Sequence, residues 1–488
     1  MLEKYSLQPE KVFYYFEEIS KIPRGSGNTK EVSDYCVSFA CERGLYVRQD
    51  ELNNVVIKKP ATKGYEGKPG VIIQGHLDMV AEKDSDSNHD FMKDPIKLIV
   101  DGDFLTADKT TLGADDGIAV AMGLAILDSD DIKHPELEVI FTVDEETGMY
   151  GAMDLDMSDI NGKYMLNLDS EDDGIITVGC AGGKSAHVTY ALDLGEVAGV
   201  IYELKINGLK SGHSGVDINN ERANANILIG RVLKYINDRI AIRVVSINGG
   251  SKDNVITKES VARFILHTHE DVEKKVSLLK DALSEIEAVI KNEYSISDKD
   301  INISLSDGEY GIFYAASRKA TDNVLAFINV VPFGPQNMVP GMNGLVETSL
   351  NMGVVKTEKD KTTINLSIRS SVNSRKELVA EKIEILAKLT DGSYAEDGEY
   401  PEWEYKADSP LQKLLCKVYK EMFNEDLKLD LIHAGLECGY ILEKKPELDV
   451  VSFGPQTYDI HTTAERVSIS SVAKVYDFVK GIMEEICD

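Results

Sequence analysis

The sequence predicts an α/β protein in which both ends of the chain build one layer and an α+β domain is inserted between them. Three observations lead there. The first 180 residues alternate helical and strand patterns. The character changes near Gly182-Gly183-Lys184, and the α/β pattern returns from Ser409 onward. Alternation of strands with helices implies a mixed, largely parallel sheet. At 488 residues the chain is also too long for one ordinary core. Residues 1–186 and 401–488 are therefore read as one domain and 187–400 as an insert. Insertion is tolerated because termini and insertion points lie at the surface.

The elements run in order along the chain. Pro9 to Lys21 reads as an amphipathic helix with Val12, Phe13, Phe16 and Ile19 on one side, and Thr29 to Arg43 as a second helix. Asn54 to Lys58 and Val71 to Gln74 are short apolar strands. Gly117 to Leu127 is apolar and rich in small residues, as a buried helix requires. Leu137 to Val143 and Tyr164 to Leu168 are strands. The insert holds strands such as His187 to Tyr190, Tyr202 to Ile206, Ala241 to Asn248, Ala262 to His267 and Thr363 to Ser367. It also holds two charged helices, Ala223 to Asn237 and Asp271 to Asn292. A helix at Leu411 to Phe423, a strand at Val450 to Phe453 and a helix at Ser470 to Ile486 close the chain. Val-Val-Pro-Phe-Gly-Pro-Gln at 330–336 returns with one change at 450–456, read as two independent exits from strands into turns.

Composition limits the function. Lys plus Arg is 53 and Asp plus Glu 83, a net charge of −30. Such a surface repels phosphate backbones, which argues against a nucleic-acid partner. No stretch approaches the roughly 20 apolar residues of a membrane span. Met1 to Tyr5 lacks a basic segment leading into an apolar run, so no signal peptide is expected. Cys36, Cys41, Cys180, Cys416, Cys438 and Cys487 form no CxxC and no dense framework; they read as ordinary buried thiols in a reducing cytosol.

Five stretches carry acidic residues or histidine where a strand should run into a loop. They are Gly75-His76-Leu77-Asp78, Gly113-Ala114-Asp115-Asp116-Gly117, Asp144-Glu145-Glu146-Thr147-Gly148, Asn167-Leu168-Asp169-Ser170 and Tyr458-Asp459-Ile460-His461. His76 and Asp78 point the same way if the extended form persists, and a carboxylate beside a metal-bound imidazole fixes its tautomer. Asp115 and Asp116 precede the buried helix, where carboxylates also serve as caps. Glu145 and Glu146 come directly after an apolar strand. Neighbours on an extended backbone diverge, which suits one metal ligand and one general base. Ligands in open α/β sheets collect beyond the carboxyl ends of strands, where Asp169 and His461 also fall. Together the stretches offer ligands for a pair of zinc-like ions and suggest a metal-assisted hydrolase. His433, His89 and His134 carry no motif and are read as bystanders.

The series GHLDMV, TLGADDG, TVDEETG, NLDSED and DIH resembles the dinuclear zinc, aminopeptidase-like metallopeptidases of the M20 family, in its aminoacyl-histidine dipeptidase branch. The resemblance covers the whole chain and implies two Zn2+ ions, with Co2+ or Mn2+ as substitutes in a carboxylate-rich site. It implies that His76 and Asp169 each complete one metal's shell or its partner's, and that Asp115 bridges. Glu146 and His461 would bind the second position, Asp78 would orient His76, and Glu145 would be the general base. A bridging hydroxide would sit between ions about 3.5–4 Å apart.

The same resemblance makes the insert a lid. His213, in Gly208-Leu209-Lys210-Ser211-Gly212-His213-Ser214-Gly215, would donate to the oxyanion. Asn254 and Arg369 would hold the peptide, with Arg369 gripping its C-terminal carboxylate. A surface salt bridge is the competing role for Arg369. Gly435 would offer backbone N–H groups to that carboxylate. The implied function is a cytoplasmic dipeptidase acting on Xaa-His, carnosine-like substrates included. A tripeptidase, an N-acyl-amino-acid deacylase and a non-catalytic metal- or peptide-binding protein are the alternatives. A small peptide is the expected partner, with no nucleic acid and no membrane; a homodimer through the lid is also compatible with the resemblance.

Overall fold

The computed structural model describes residues 2–268, 271–342 and 344–487. Its contacts divide the chain into two compact units. The first comprises Met1–Gly179, Tyr405–Leu431 and Leu436–Asp488, the second Cys180–Glu404 and Ile432–Gly435.

The first unit is built on an eight-stranded sheet. Its order is Tyr46–Gln49, Val55–Lys59, Leu137–Thr142, Val71–His76, Tyr164–Asn167, Asp449–Ser452, Ile175–Cys180 and Lys428–Ile432. The four strands from Leu137–Thr142 to Asp449–Ser452 run parallel, and antiparallel strands flank them. Val71–His76 and Leu137–Thr142 are buried at every position. This explains their continuous apolar runs: a parallel strand covered on both faces cannot alternate. The unit is thus mixed α/β, as the sequence predicts.

One layer over this sheet is the helix Ala114–Leu127, buried along nearly its whole length. It lies against Val71–His76 and the helix Glu10–Ser20. Small residues permit the close approach. A Cβ on Gly123 would sit 3.1 Å from Phe141 and from Val139. Each fully buried Leu or Ile in this layer contributes roughly 1.5–3 kcal/mol by leaving water. A separate four-stranded sheet joins Thr457–Tyr458, Arg466–Ser468, Phe104–Ala107 and Leu98–Asp101. These strands are too short to give a periodic sequence signal.

The second unit holds a ten-stranded sheet whose assigned pairings are antiparallel. The sequence reading found two helices here. The structure adds Arg318–Val330 and Asn373–Leu389 to Ala225–Asn237 and Val272–Glu293. All four helices share one apolar cluster with the sheet. Ile201, Ile265 and Ala315 form a smaller cluster. Ile201 lies between Val200 and Tyr202 of the main cluster, so period-two alternation puts it on the opposite face.

Two expectations need correction. At 330–336 the chain leaves a helix and enters the strand Gly334–Met338, whereas 450–456 leaves the strand Asp449–Ser452. The two heptapeptides therefore share letters and not a role. Cys36, Cys180, Cys438 and Cys487 are buried, but Cys41 is exposed and Cys416 half-buried. No helix among the described residues is long and apolar enough to cross a membrane.

Candidate metal centre

The parallel strands of the first unit deliver the motif residues. His76 ends Val71–His76, Asp169 lies just past Tyr164–Asn167, and Glu145 and Glu146 just past Leu137–Thr142. Asp115 precedes the regular part of the long helix: Asp115 and Asp116 keep non-helical backbone angles, and the peptide between them is cis. Asp115 does not cap the helix. Its Oδ1 lies 3.2 Å from His76 Nε2 and its Oδ2 3.1 Å from His461 Nε2. His76 Nε2 is also 3.5 Å from Asp169 Oδ1. His461 Nε2 is 2.9 Å from Glu146 Oε2. The structure thus brings His76, Asp115, Glu146, Asp169 and His461 into one cluster, joined through Asp115.

Asp78 sits behind this cluster with no exposed surface. Its Oδ1 is 3.3 Å from His76 Nδ1. Donation from Nδ1–H fixes the ring so that Nε2, facing Asp115 and Asp169, would be the atom free to ligate once a metal replaced its proton. Asp78 also accepts the Glu145 N–H at 3.1 Å, the Glu146 N–H at 3.4 Å and the Ser26 hydroxyl at 2.7 Å. One carboxylate therefore orients the imidazole and anchors the next motif.

Glu145 and Glu146 are not on extended backbone. They open a turn in which Gly148 N–H and Met149 N–H donate to the Glu145 carbonyl at 3.0 and 2.9 Å. The turn, and not strand alternation, separates their side chains. Glu146 meets His461. Glu145 has ligand-capable oxygen within 4.8 Å of His76 and Glu146.

The electrostatics ask for positive charge. Burial raises Glu145 well above the usual carboxylate range, and Asp169, Glu437 and Glu146 add to it. Burial lifts Asp169 to about 6. Burial alone would depress His76, but Asp169, Asp115 and Asp78 outweigh it and push the imidazole well up. Hydrogen bonds to Asp115 and Glu146 push His461 to about 10. The carboxylates recruit both imidazoles as cations. Metal ions would meet the same demand and free the imidazoles to ligate. Glu146 Oε1 is buried with no hydrogen-bond partner among the described residues, an orphaned oxygen that a cation would satisfy. Three triads place ligand atoms within 4.8 Å: His76, Asp116 and Asp169; His76, Glu145 and Glu146; Asp115, Glu146 and His461. Carboxylate and imidazole together suit zinc, cobalt or manganese.

The sequence reading missed several supporting residues. Asp116 accepts the His76 N–H at 3.2 Å. Glu437 is fully buried; it accepts from Gln74 Nε2 and Thr142 Oγ1, both at 2.6 Å, and burial lifts it to about 7. Arg24 and Glu465 brace the motif loops from outside every motif. A buried charge inside a mostly polar loop gives no periodic signal. Sequence could flag only the Arg24-Gly25-Ser26-Gly27 turn, where Gly25 packs close to Ala81 and Gly27 takes a positive φ.

The remaining predicted residues belong to the second unit. His213 Nδ1 accepts the N–H of Gly215 at 3.2 Å and of Val216 at 3.3 Å, so its proton resides on Nε2. Burial and the Arg369 charge depress its pKa, favouring the neutral ring. Arg369 is buried; its Nη1 donates to Tyr400 OH at 2.7 Å and its Nε to Ser214 Oγ at 3.3 Å. It forms no salt bridge among the described residues, so the surface-pair role does not hold. Asn254 Oδ1 is buried with no hydrogen-bond partner among the described residues, and the Asn254 carbonyl accepts the Ser214 N–H at 2.9 Å. Gly435 lies in the Ile432–Gly435 segment of the same unit. His433, read as a bystander, is buried there with Nε2 2.7 Å from Ser349 Oγ.

Comparison with known proteins decides the family. A model of Peptidase family M20/M25/M40 matches residues 72–485. This chain belongs to that family. The M20 chain is 36% identical to the cytosol non-specific dipeptidase of Escherichia coli over 488 residues, covering 100% of this chain and 99% of that protein. It is 36% identical to the aminoacylhistidine dipeptidase of Vibrio alginolyticus, with a TM-score of 0.92 over 98% of this chain and 97% of that one. The aminopeptidase PepT of Bacillus cereus shares the fold, with a TM-score of 0.57 at 17% identity over 99% and 100% of the two chains. As an M20 member the protein is an enzyme of the peptidase class.

Proposed function

We propose that this M20 peptidase is a cytosolic dimetal dipeptidase that cleaves Xaa-His dipeptides, with zinc as its ion. The observation that carries the chemistry is Asp115, whose two oxygens each face a different imidazole. A carboxylate in that position suits a shared ligand of two ions. Residues 1–186 and 401–488 would form the catalytic domain and 187–400 the substrate-holding one. The names of the Escherichia coli and Vibrio relatives support the dipeptide part of the reading, and the Vibrio name alone the histidine part.

His76, Asp115, Glu146, Asp169 and His461 would hold the metals. When bound, two divalent cations polarise a scissile carbonyl and acidify water. Glu145 takes the proton of the attacking water on its carboxylate and returns it to the leaving amine. Asp78 keeps His76 in one tautomer and fixes the Glu145 turn. His213, with its proton on Nε2, donates a hydrogen bond to the oxyanion. Arg369 binds the C-terminal carboxylate with its planar fork, supported by Asn254 and Gly435. Buried without a salt-bridge partner among the described residues, Arg369 suits a ligand that brings the counter-charge.

The experiment is hydrolysis of a panel of dipeptides, tripeptides and N-acetyl amino acids, with metal counting, chelation and zinc add-back. About two zincs per chain and chelator-sensitive cleavage of Xaa-His dipeptides, but not of tripeptides or N-acetyl amino acids, are expected. Cleavage confined to longer or acylated substrates would overturn the substrate class. No bound metal and no cleavage after add-back would overturn the mechanism.

A further inference from the structure

Glu465 lies four residues after His461 and is 2% exposed. Its Oε2 accepts the N–H groups of Leu112 at 2.7 Å and Gly113 at 3.0 Å. Its Oε1 accepts those of Ala114 at 2.8 Å and Asp115 at 3.4 Å. One carboxylate thus holds four consecutive backbone donors leading into Asp115. Arg24, also 2% exposed, grips the other end of the same peptides. Its Nη2 donates to the Gly113 carbonyl, and its Nη1 to the carbonyls of Leu77 at 2.9 Å and Asp78 at 3.1 Å. The fit is tight: a Cβ on Gly113 would lie 2.6 Å from Arg24 Nη2, and one on Gly117 would meet the same atom.

We infer that Arg24 and Glu465 act together as a positioning clamp that sets the spacing of Asp115 against His76 and His461. The proposal rests on the metal-centre reading. The geometry gives two ties and a charge balance. Arg24 fixes the Leu77-Asp78 backbone to Gly113, and so His76 to the Asp115 loop. Glu465 fixes the Asp115 loop to the loop that carries His461. The opposite charges then balance each other across Gly113, where Arg24 takes the C=O and Glu465 the N–H. Two buried charges of opposite sign are costly to keep unless hydrogen bonds and their mutual attraction offset the lost hydration. Glu465 accepts four hydrogen bonds and Arg24 donates three from Nη1 and Nη2, all to backbone of these loops, while Arg24 Nε has no hydrogen-bond partner among the described residues. Neither touches the reacting atoms.

The test is a Co2+ titration of metal-free full-length protein, read by visible absorption, on wild type, Glu465→Gln, Glu465→Asp and the charge-balanced double variant Arg24→Met/Glu465→Gln. Folding is checked by circular dichroism. An amide at 465 turns a donor toward backbone N–H groups. The expected result for Glu465→Gln and the double variant is Co2+ affinity weaker by about 10- to 100-fold, the range for residues behind metal ligands. An altered ligand-field spectrum and a kcat loss with KM within about twofold should accompany it, and Glu465→Asp should restore part of the affinity. Folded variants with wild-type affinity and spectrum would overturn the clamp. So would variants that stay unfolded even with Co2+, because the pair would then be structural for the whole unit. Wild type that binds no Co2+ would instead remove the metal-centre reading, and the clamp with it.

Discussion

Asp115 Oδ2 stands 3.1 Å from His461 Nε2, although the two residues are 346 positions apart in the chain. The contact closes the cluster, because the other Asp115 oxygen is already engaged by His76. A shared ligand and a single-ion ligand should fail differently.

Removing Asp115 should cost both ions, while removing His461 should cost one. Asp115→Ala takes one donor from each metal position. His461→Ala leaves His76, Asp115 and Asp169 in place and strips only the position shared with Glu146. Metal counting by plasma mass spectrometry after dialysis checks this. Expected values are near zero for Asp115→Ala and near one for His461→Ala. Equal losses in the two variants would contradict the shared-ligand reading.

Glu145→Gln should leave metal content unchanged and lower kcat by about 10²- to 10⁴-fold, the usual worth of a positioned general base. The amide keeps the size of the side chain, and the Asp78 anchor on the 145–146 backbone is untouched. Steady-state kinetics with metal analysis on the same sample tests it. Unchanged turnover would remove Glu145 from the proton transfer.

Much of this site was legible because the rules involved are local. The run Val71 to Gln74 announces an interior strand, and residues just past the carboxyl end of such a strand in an open sheet lie where ligands bind. That logic located His76, Asp78 and Asp169. Glu145 and Glu146 were found for a partly wrong reason, since a turn separates them. Arg24 and Glu465 stayed hidden because their partners are backbone atoms far away in sequence. The fold shows the same divide. Asn373–Leu389 was missed because Leu378, Ile385 and Leu389 are exposed, which blurs its apolar stripe. Ser393–Tyr400 reads Ser-Tyr-Ala-Glu-Asp-Gly-Glu-Tyr, with residues disfavoured in strands, yet forms an edge strand on Gly182–Ala191. An edge strand needs little side-chain burial, so its propensity signal is weak.

Gly75→Ala should destabilise the first unit and disturb the site together. A Cβ at 75 would lie 2.7 Å from Ala119 Cβ and run into Asp116 Oδ2, the oxygen that accepts the His76 N–H. Overpacking of this kind costs about 1–3 kcal/mol. Urea denaturation of the metal-free protein gives the stability change, and a Co2+ titration gives the effect on the site. Both should fall. A stable variant with normal metal affinity would mean that the helix Ala114–Leu127 can shift without moving the ligands.

His433 gives a pH dependence confined to the second unit. Burial, with the nearby Arg369 charge, pushes its pKa down to about 3 from an ordinary 6.5. Between those values the unfolded chain holds a proton that the native ring refuses. Stability from this group is therefore complete above pH 6.5 and is lost as pH falls toward 3. The slope is about 1.4 kcal/mol per pH unit. His433→Gln can keep a hydrogen bond to Ser349 and cannot titrate. Urea midpoints for wild type and variant at pH 7 and pH 5 test the difference. Relative to wild type, the variant should gain about 2 kcal/mol on acidification across that interval. A gap that stays constant with pH would show that His433 protonates as easily in the native state as in the unfolded one.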